Sequence, residues 1–163
     1  EAIVVVPKTN DLLVFTKGRD GIHHVLTGAF PLPSSVQQDA VISDVPALNE
    51  PKFNAPEIEL TEIHQQTFAT LPLNRQYQSR LITSASISPD GEWLAVRNYL
   101  SAKLYHKTTD QEWNEVLQTK PCRLPLPLQQ QGETLAFSPD GNSLWTVSEG
   151  ERQTIYEIQL VWA

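Results

Sequence analysis

Two stretches of the chain are near copies: SPDGEWLAV begins at Ser88 and SPDGNSLWTV at Ser138, fifty positions later. Short β-type runs precede them, TSASI before Ser88 and ETLAF before Ser138. Such runs joined through Asp-Gly predict antiparallel hairpins, because glycine tolerates positive φ and aspartate caps the turn. Proline fits just before the turn, where a strand is ending and its missing N–H is harmless. A third run follows each hairpin, AKLYH (102–106) and TIYEI (154–158). Leu104-Tyr105 and Ile155-Tyr156 lie 51 positions apart, which predicts one register kept through all three strands. The N-terminus shows the unit more faintly as IVVVP, KTND, LLVFT, GRDG and IHHVL, with Pro7 in the place of Pro89 and Leu13 in that of Leu94.

Self-similarity at about 40 to 50 residues, with about four short strands per unit, is the sequence sign of a β-propeller blade. Each unit is a small twisted sheet whose faces cannot be buried alone, so neighbours must stack around an axis. The expected fold is therefore all-β, with blades at 1–78, 79–128 and 129–163. Fourth strands are expected at 58–63 and 121–126; the third unit stops before one. Propeller rings are commonly closed by a strand from the other end of the chain, so a missing last strand suits a native C-terminus. The first and second units are about 81 positions apart rather than 50. Pro31, Pro33, Pro46, Pro51 and Pro56 punctuate that interval, favouring a loop insertion at 31–56 over an additional degenerate blade. TTDQEWNEVLQ (108–118) predicts a short helix capped by Asp110, with Trp113, Val116 and Leu117 as its apolar stripe. Natural rings have about four to eight blades, so three belong to a larger ring or are completed by association of copies. The larger ring is the preferred reading.

The 163 residues are 40 % hydrophobic and 19 % charged, enough for a packed core. A formal charge of −7 leaves no basic stripe for nucleic acid. Cys122 is the only cysteine, which excludes an intramolecular disulfide and a cysteine-based zinc site. No apolar run approaches the roughly 20 residues of a membrane-spanning helix. The opening EAIVVV lacks a signal peptide's basic n-region, and there is no methionine, so the chain reads as processed or cut from a longer frame.

ITSASISPDGEWLAVRNYLSAKLY and ETLAFSPDGNSLWTVSEGERQTIYEI resemble blades of the bacterial TolB-like and WD40-like propellers. The resemblance covers 79–160 and, more faintly, 1–30; no Trp-Asp dipeptide ends a blade. It implies a scaffold fold that hosts many activities, often in exported bacterial proteins, hence a periplasmic or secreted setting. GETLAFSPDG…LWTVSEG also resembles a pattern of six-bladed esterase-like and phytase-like propellers, whose channel carboxylates bind calcium. Thr134 stands where that pattern has glycine, and the second unit has Thr83 and Tyr99 at the carboxylate positions.

No nucleophile elbow, P-loop, dinucleotide fingerprint or His-Glu-x-x-His helix is present. His23, His24, His64 and His106 are scattered, and neighbours on a strand point to opposite faces, so His23 and His24 do not share an ion. The candidate metal ligands are Glu133 and Glu149. They stand eight and nine positions out from the Asp140-Gly141 turn, as cross-strand neighbours whose like charges need a cation, a proton or an arginine between them. The favoured function is a non-catalytic scaffold without a cofactor, binding a protein or small ligand at the channel mouth or through the 31–56 loop. The alternatives are a metal-dependent hydrolase or lactonase-like enzyme using calcium at Glu133 and Glu149, and a propeller domain accompanying a separate peptidase domain.

Overall fold

The computed structural model describes residues 1–19, 22–29, 58–66 and 80–161. The Pro-rich stretch at 31–56 lies outside them. Among the described residues the chain is all-β, with three antiparallel sheets and little helix. Sheet 1 holds β1 (Ala2–Val5), β2 (Asp11–Phe15), β3 (His23–Ala29) and β4 (Thr61–Gln66). Sheet 2 holds β5 (Ile82–Ile87), β6 (Trp93–Asn98), β7 (Ala102–His106) and β8 (Cys122–Leu124). Sheet 3 holds β9 (Ala136–Phe137), β10 (Ser143–Thr146) and β11 (Tyr156–Gln159). Within each sheet the strands follow chain order, so each is a meander built from tight hairpins.

The two SPDG turns are built alike. Ser88 accepts from Gly91 N–H through its carbonyl, and its backbone N–H donates to Trp93 O at 2.8 Å. The Ser88 hydroxyl donates to Asp90 and accepts from Trp93 N–H, while Asp90 accepts from Glu92 N–H at 3.0 Å. The same set recurs at Ser138, Asp140, Asn142 and Ser143. Gly91 and Gly141 take φ of 77° and 73°, a left-handed conformation that glycine adopts without strain. In sheet 1, Val6 N–H donates to Asp11 O, which aligns Val6 with Ser88 and Asp11 with Trp93. Leu12, not Leu13, therefore stands where Leu94 stands.

The sheets stack in sequence through their first strands, β1 against β5 and β5 against β9. Between sheets 1 and 2 lies an apolar core of Val4, Leu13, Phe15, Val25, Leu94, Val96 and Tyr105. Between sheets 2 and 3, Ala95, Ala102, Leu104, Leu135 and Leu144 pack together. Serines of β5 also cross this joint: the Ser84 hydroxyl accepts from Leu135 N–H at 3.1 Å, and the Ser86 hydroxyl accepts from Phe137 N–H at 3.1 Å. The turns step the same way at both joints. A Cβ on Gly91 would sit 3.7 Å from Pro7, and one on Gly141 would sit 3.5 Å from Pro89.

Three further local expectations are corrected. The third strand of sheet 3 does not keep the register. Pairing places Glu157 opposite Trp145 and Ile158 opposite Leu144, so Glu157 and Ile158 take the places of Leu104 and Tyr105. The loop before β11 is three residues longer than its counterpart before β7 and has carried the strand with it. The first sheet's last strand starts at Thr61 rather than 58. The helix α1 (Trp113–Val116) begins at Glu112, not Asp110: Glu112 N–H donates to the Glu115 carboxylate at 3.1 Å. Trp113, Val116 and Leu117 do face the core.

Candidate functional site

The end of the sheets opposite the turns gathers the starts of the first strands and the exits of the second strands. Counting back 82 positions from sheet 2 and 50 from sheet 3, Glu1, Thr83 and Glu133 are equivalent, and so are Lys17, Tyr99 and Glu149. Side chains from three sheets meet there. The Tyr99 hydroxyl donates to Glu133 Oε1 at 2.7 Å. Lys17 Nζ stands 4.0 Å from the same oxygen and 5.4 Å from the centre of the Tyr99 ring, a cation on an aromatic face. Glu133 and Lys17 keep part of their surface in solvent, so the cluster is open to a ligand. Chemically it offers an ammonium donor, a phenol and a carboxylate acceptor within a few ångströms.

Beneath the cluster lies Arg97, which is fully buried. Its Nε donates to Asn98 O at 3.0 Å, and its Nη1 donates to Gln129 Oε1 and Thr134 O, each at 3.0 Å, and to the Thr146 hydroxyl. Nη2 reaches Tyr99 O at 3.4 Å. A buried guanidinium is tolerated when its donors are met in this way. Burial pushes its pKa down from 12.5 to about 10, while the Glu133 charge opposes the shift. Gly132 makes room for it, since a Cβ there would come within 1.8 Å of Nη2. Thr83 braces the same corner, its hydroxyl donating to Gly132 O at 3.0 Å.

Of the two glutamates singled out from sequence, Glu133 joins this cluster, while Glu149 is exposed and sits one step off. An isolated bridge pairs Gly132 with Ser148, and Glu149 N–H donates to Gln131 O at 2.7 Å. Glu149 is thus directly opposite Gln131 and diagonal to Glu133, because both Glu133 and Thr134 N–H groups converge on Val147 O. The groups near the Glu133 charge include Tyr99, Lys17 and the buried guanidinium of Arg97. Among the described residues no group of three or more His, Cys, Asp or Glu is arranged to hold a metal ion.

His23 and His24 do point apart. His23 is buried with Nδ1 3.3 Å from Thr16 O, whereas His24 Nδ1 lies 2.7 Å from Glu62 at the surface. Cys122 is a free, exposed thiol. Among the described residues no helix is long and apolar enough to cross a membrane.

Sequence reasoning passed over Lys17 and Arg97, and noticed Tyr99 only as standing in the place of a carboxylate. The signal was in the repeat itself: Arg97 falls where sheet 1 has Phe15, and a guanidinium in place of a core phenylalanine demands polar partners from a neighbouring unit. Neither a protein-family model nor a curated relative matches the chain.

Proposed function

We propose that the three sheets are consecutive blades of a β-propeller, and that the chain is a binding scaffold whose ligand docks on the Lys17–Tyr99–Glu133 cluster at the channel mouth. The observation that carries this reading is the convergence of one side chain from each sheet on that point. The in-order stacking of first strands and the repeated proline-on-glycine step support the propeller part. A ligand matching the cluster carries both an acceptor for Lys17 and a donor for Glu133, as a peptide segment or a polar small molecule does.

Amide NMR during titration with a library of short peptides and polar fragments tests the reading. Shifts concentrated at 17–19, 97–100, 131–134 and 147–150 are expected; shifts confined to the opposite, turn end would overturn it. Calcium titrated by calorimetry into wild type and Glu133→Gln separates the scaffold from the metal-dependent hydrolase. Heat that disappears in the variant, with ester turnover that disappears alongside it, would transfer the assignment to the enzyme.

A further inference from the structure

The charges at the Lys17–Tyr99–Glu133 cluster do not balance. Arg97 is fully buried, and every group that accepts from it is neutral: the carbonyls of Asn98, Tyr99 and Thr134, the Gln129 amide and the Thr146 hydroxyl. Neutral acceptors satisfy its hydrogens but leave its charge uncompensated. The same joint carries a surplus donor. Gln129 is 7 % exposed and turns Oε1 to Arg97 and Thr146, which leaves Nε2 buried with no hydrogen-bond partner. The reverse amide orientation would set a donor against the guanidinium, so the surplus belongs to the joint itself. Lys17 is a second cation short of partners. Its side chain is only 19 % exposed, yet Nζ makes no hydrogen bond among the described residues. The carboxylate oxygen beside it, Glu133 Oε1, is 4.0 Å away and already accepts from Tyr99. One carboxylate therefore serves two cations, because the Glu133 charge is also what opposes the effect of burial on Arg97. Glu149, set diagonally to Glu133, is exposed, and water and salt screen its charge.

We propose that the group this site receives is an oxyanion, a carboxylate or a phosphate seated on Lys17 Nζ over the buried Arg97 charge, with an adjoining N–H of the ligand donating to Glu133. The inference rests on the reading of the cluster as a ligand site, and the two fail differently. An oxyanion meets both shortfalls at once: it brings the second negative charge, and its oxygens accept from the ammonium in charge-assisted hydrogen bonds. It also explains why a chain of net charge −7 keeps a guanidinium and an ammonium together around a single carboxylate. In the last residue of a peptide one carbon separates the amide N–H from the terminal carboxylate, a span that suits the 4.0 Å between Lys17 and Glu133.

Amide NMR titration of the 163-residue chain with N-acetyl-alanyl-alanine, with its C-terminal amide and with inorganic phosphate is the test. The acid should bind at least ~10-fold more tightly than the amide, with shifts at 17–19, 97–100 and 131–134. Phosphate that displaces the acid assigns the site to oxyanions generally. An acid that phosphate leaves in place assigns it to carboxylates, and phosphate alone shifting these residues assigns it to phosphate groups; each of the three supports the proposal. Lys17→Met should abolish the preference for acid over amide, and Lys17→Arg should keep it. Glu133→Gln removes the competing negative charge and should tighten the acid ~3-fold, a gain that a misfolded variant would not show. Acid and amide binding equally at these residues, or an acid weakened by Glu133→Gln, overturns the proposal and leaves the site standing. So do phosphate shifts that follow the exposed Lys8 and Lys120 as strongly as Lys17, the mark of an adventitious ion only. If none of the three compounds at about 1 mM moves these residues, the reading of the cluster as a ligand site falls as well.

Discussion

The two joints of this molecule are made from the same backbone frame but hold by different means. Between sheets 1 and 2, the position opposite Ala2 in the ladder is Phe15, buried in an apolar core. Between sheets 2 and 3, the equivalent position is Arg97, buried as fully but tied by directed hydrogen bonds to Gln129, Thr134 and Thr146. An apolar joint tolerates small slips, because dispersion and water exclusion are non-directional. A guanidinium fork accepts one geometry, and leaving it fixes sheet 3 at a set angle under the Tyr99–Glu133 contact. The Lys17–Tyr99–Glu133 cluster lies at the directed joint, whose hydrogen bonds hold side chains from different sheets in place.

The comparison breaks most visibly at Phe15. Phe15→Ala leaves a cavity across the first joint and should cost about 3 to 5 kcal/mol in urea denaturation. Arg97→Ala should cost somewhat less, about 2 to 4 kcal/mol, since the lost hydrogen bonds are partly offset by removing a desolvated charge. Arg97→Met keeps the volume and should fall below the alanine variant, yet lose the amide fingerprint of 131–134. If Arg97→Met were as stable as wild type with that fingerprint intact, the directed joint would be no more than packing.

The turns offer a smaller test that treats both hairpins equally. Burial raises the Asp90 carboxyl, but hydrogen bonds from Ser88 and Glu92 N–H and the charge of Lys8 outweigh it and hold it below its ordinary 3.8. Asp140 is held low by Ser138 and Asn142. A depressed folded value means that the unfolded chain takes up the proton more readily. Their contribution is therefore present above pH about 4 and is lost as the pH falls through the folded values. The denaturation midpoint of wild type should drop between about pH 5 and 2 more steeply than that of the Asp90→Asn, Asp140→Asn double variant. Smallest of all, His24→Gln should leave stability within about 0.5 kcal/mol at pH 7, because its contact with Glu62 is at the surface.

Much of the frame is legible in the sequence because its signals are local. Gly91 and Gly141 need positive φ, Pro89 and Pro139 mark strand ends, and AKLYH coincides with β7. Local signals stop at loop length. Nothing in SEGERQTIYEI states that the loop before β11 carries three extra residues, where the 51-position spacing allows one, so the register read from sequence is two places early. The site was half legible. Glu133 draws notice as a carboxylate at a strand start, but its partners lie 34 and 116 positions away, at Tyr99 and Lys17, and only the stacking of sheets brings them together. Arg97 reads in sequence as the charged end of an apolar run. Its burial is a property of the joint, not of the strand.

The serine bridges have a consequence for how the last sheet comes into being. β9 contributes only two residues to its own ladder, and the amides of Leu135 and Phe137 are bound instead by Ser84 and Ser86 of the neighbouring sheet. Those two protons should exchange with deuterium at the rate at which the sheets part, not at which sheet 3 unravels. The middle sheet thus supplies hydrogen bonds to the stretch around β9 that its own sheet does not provide.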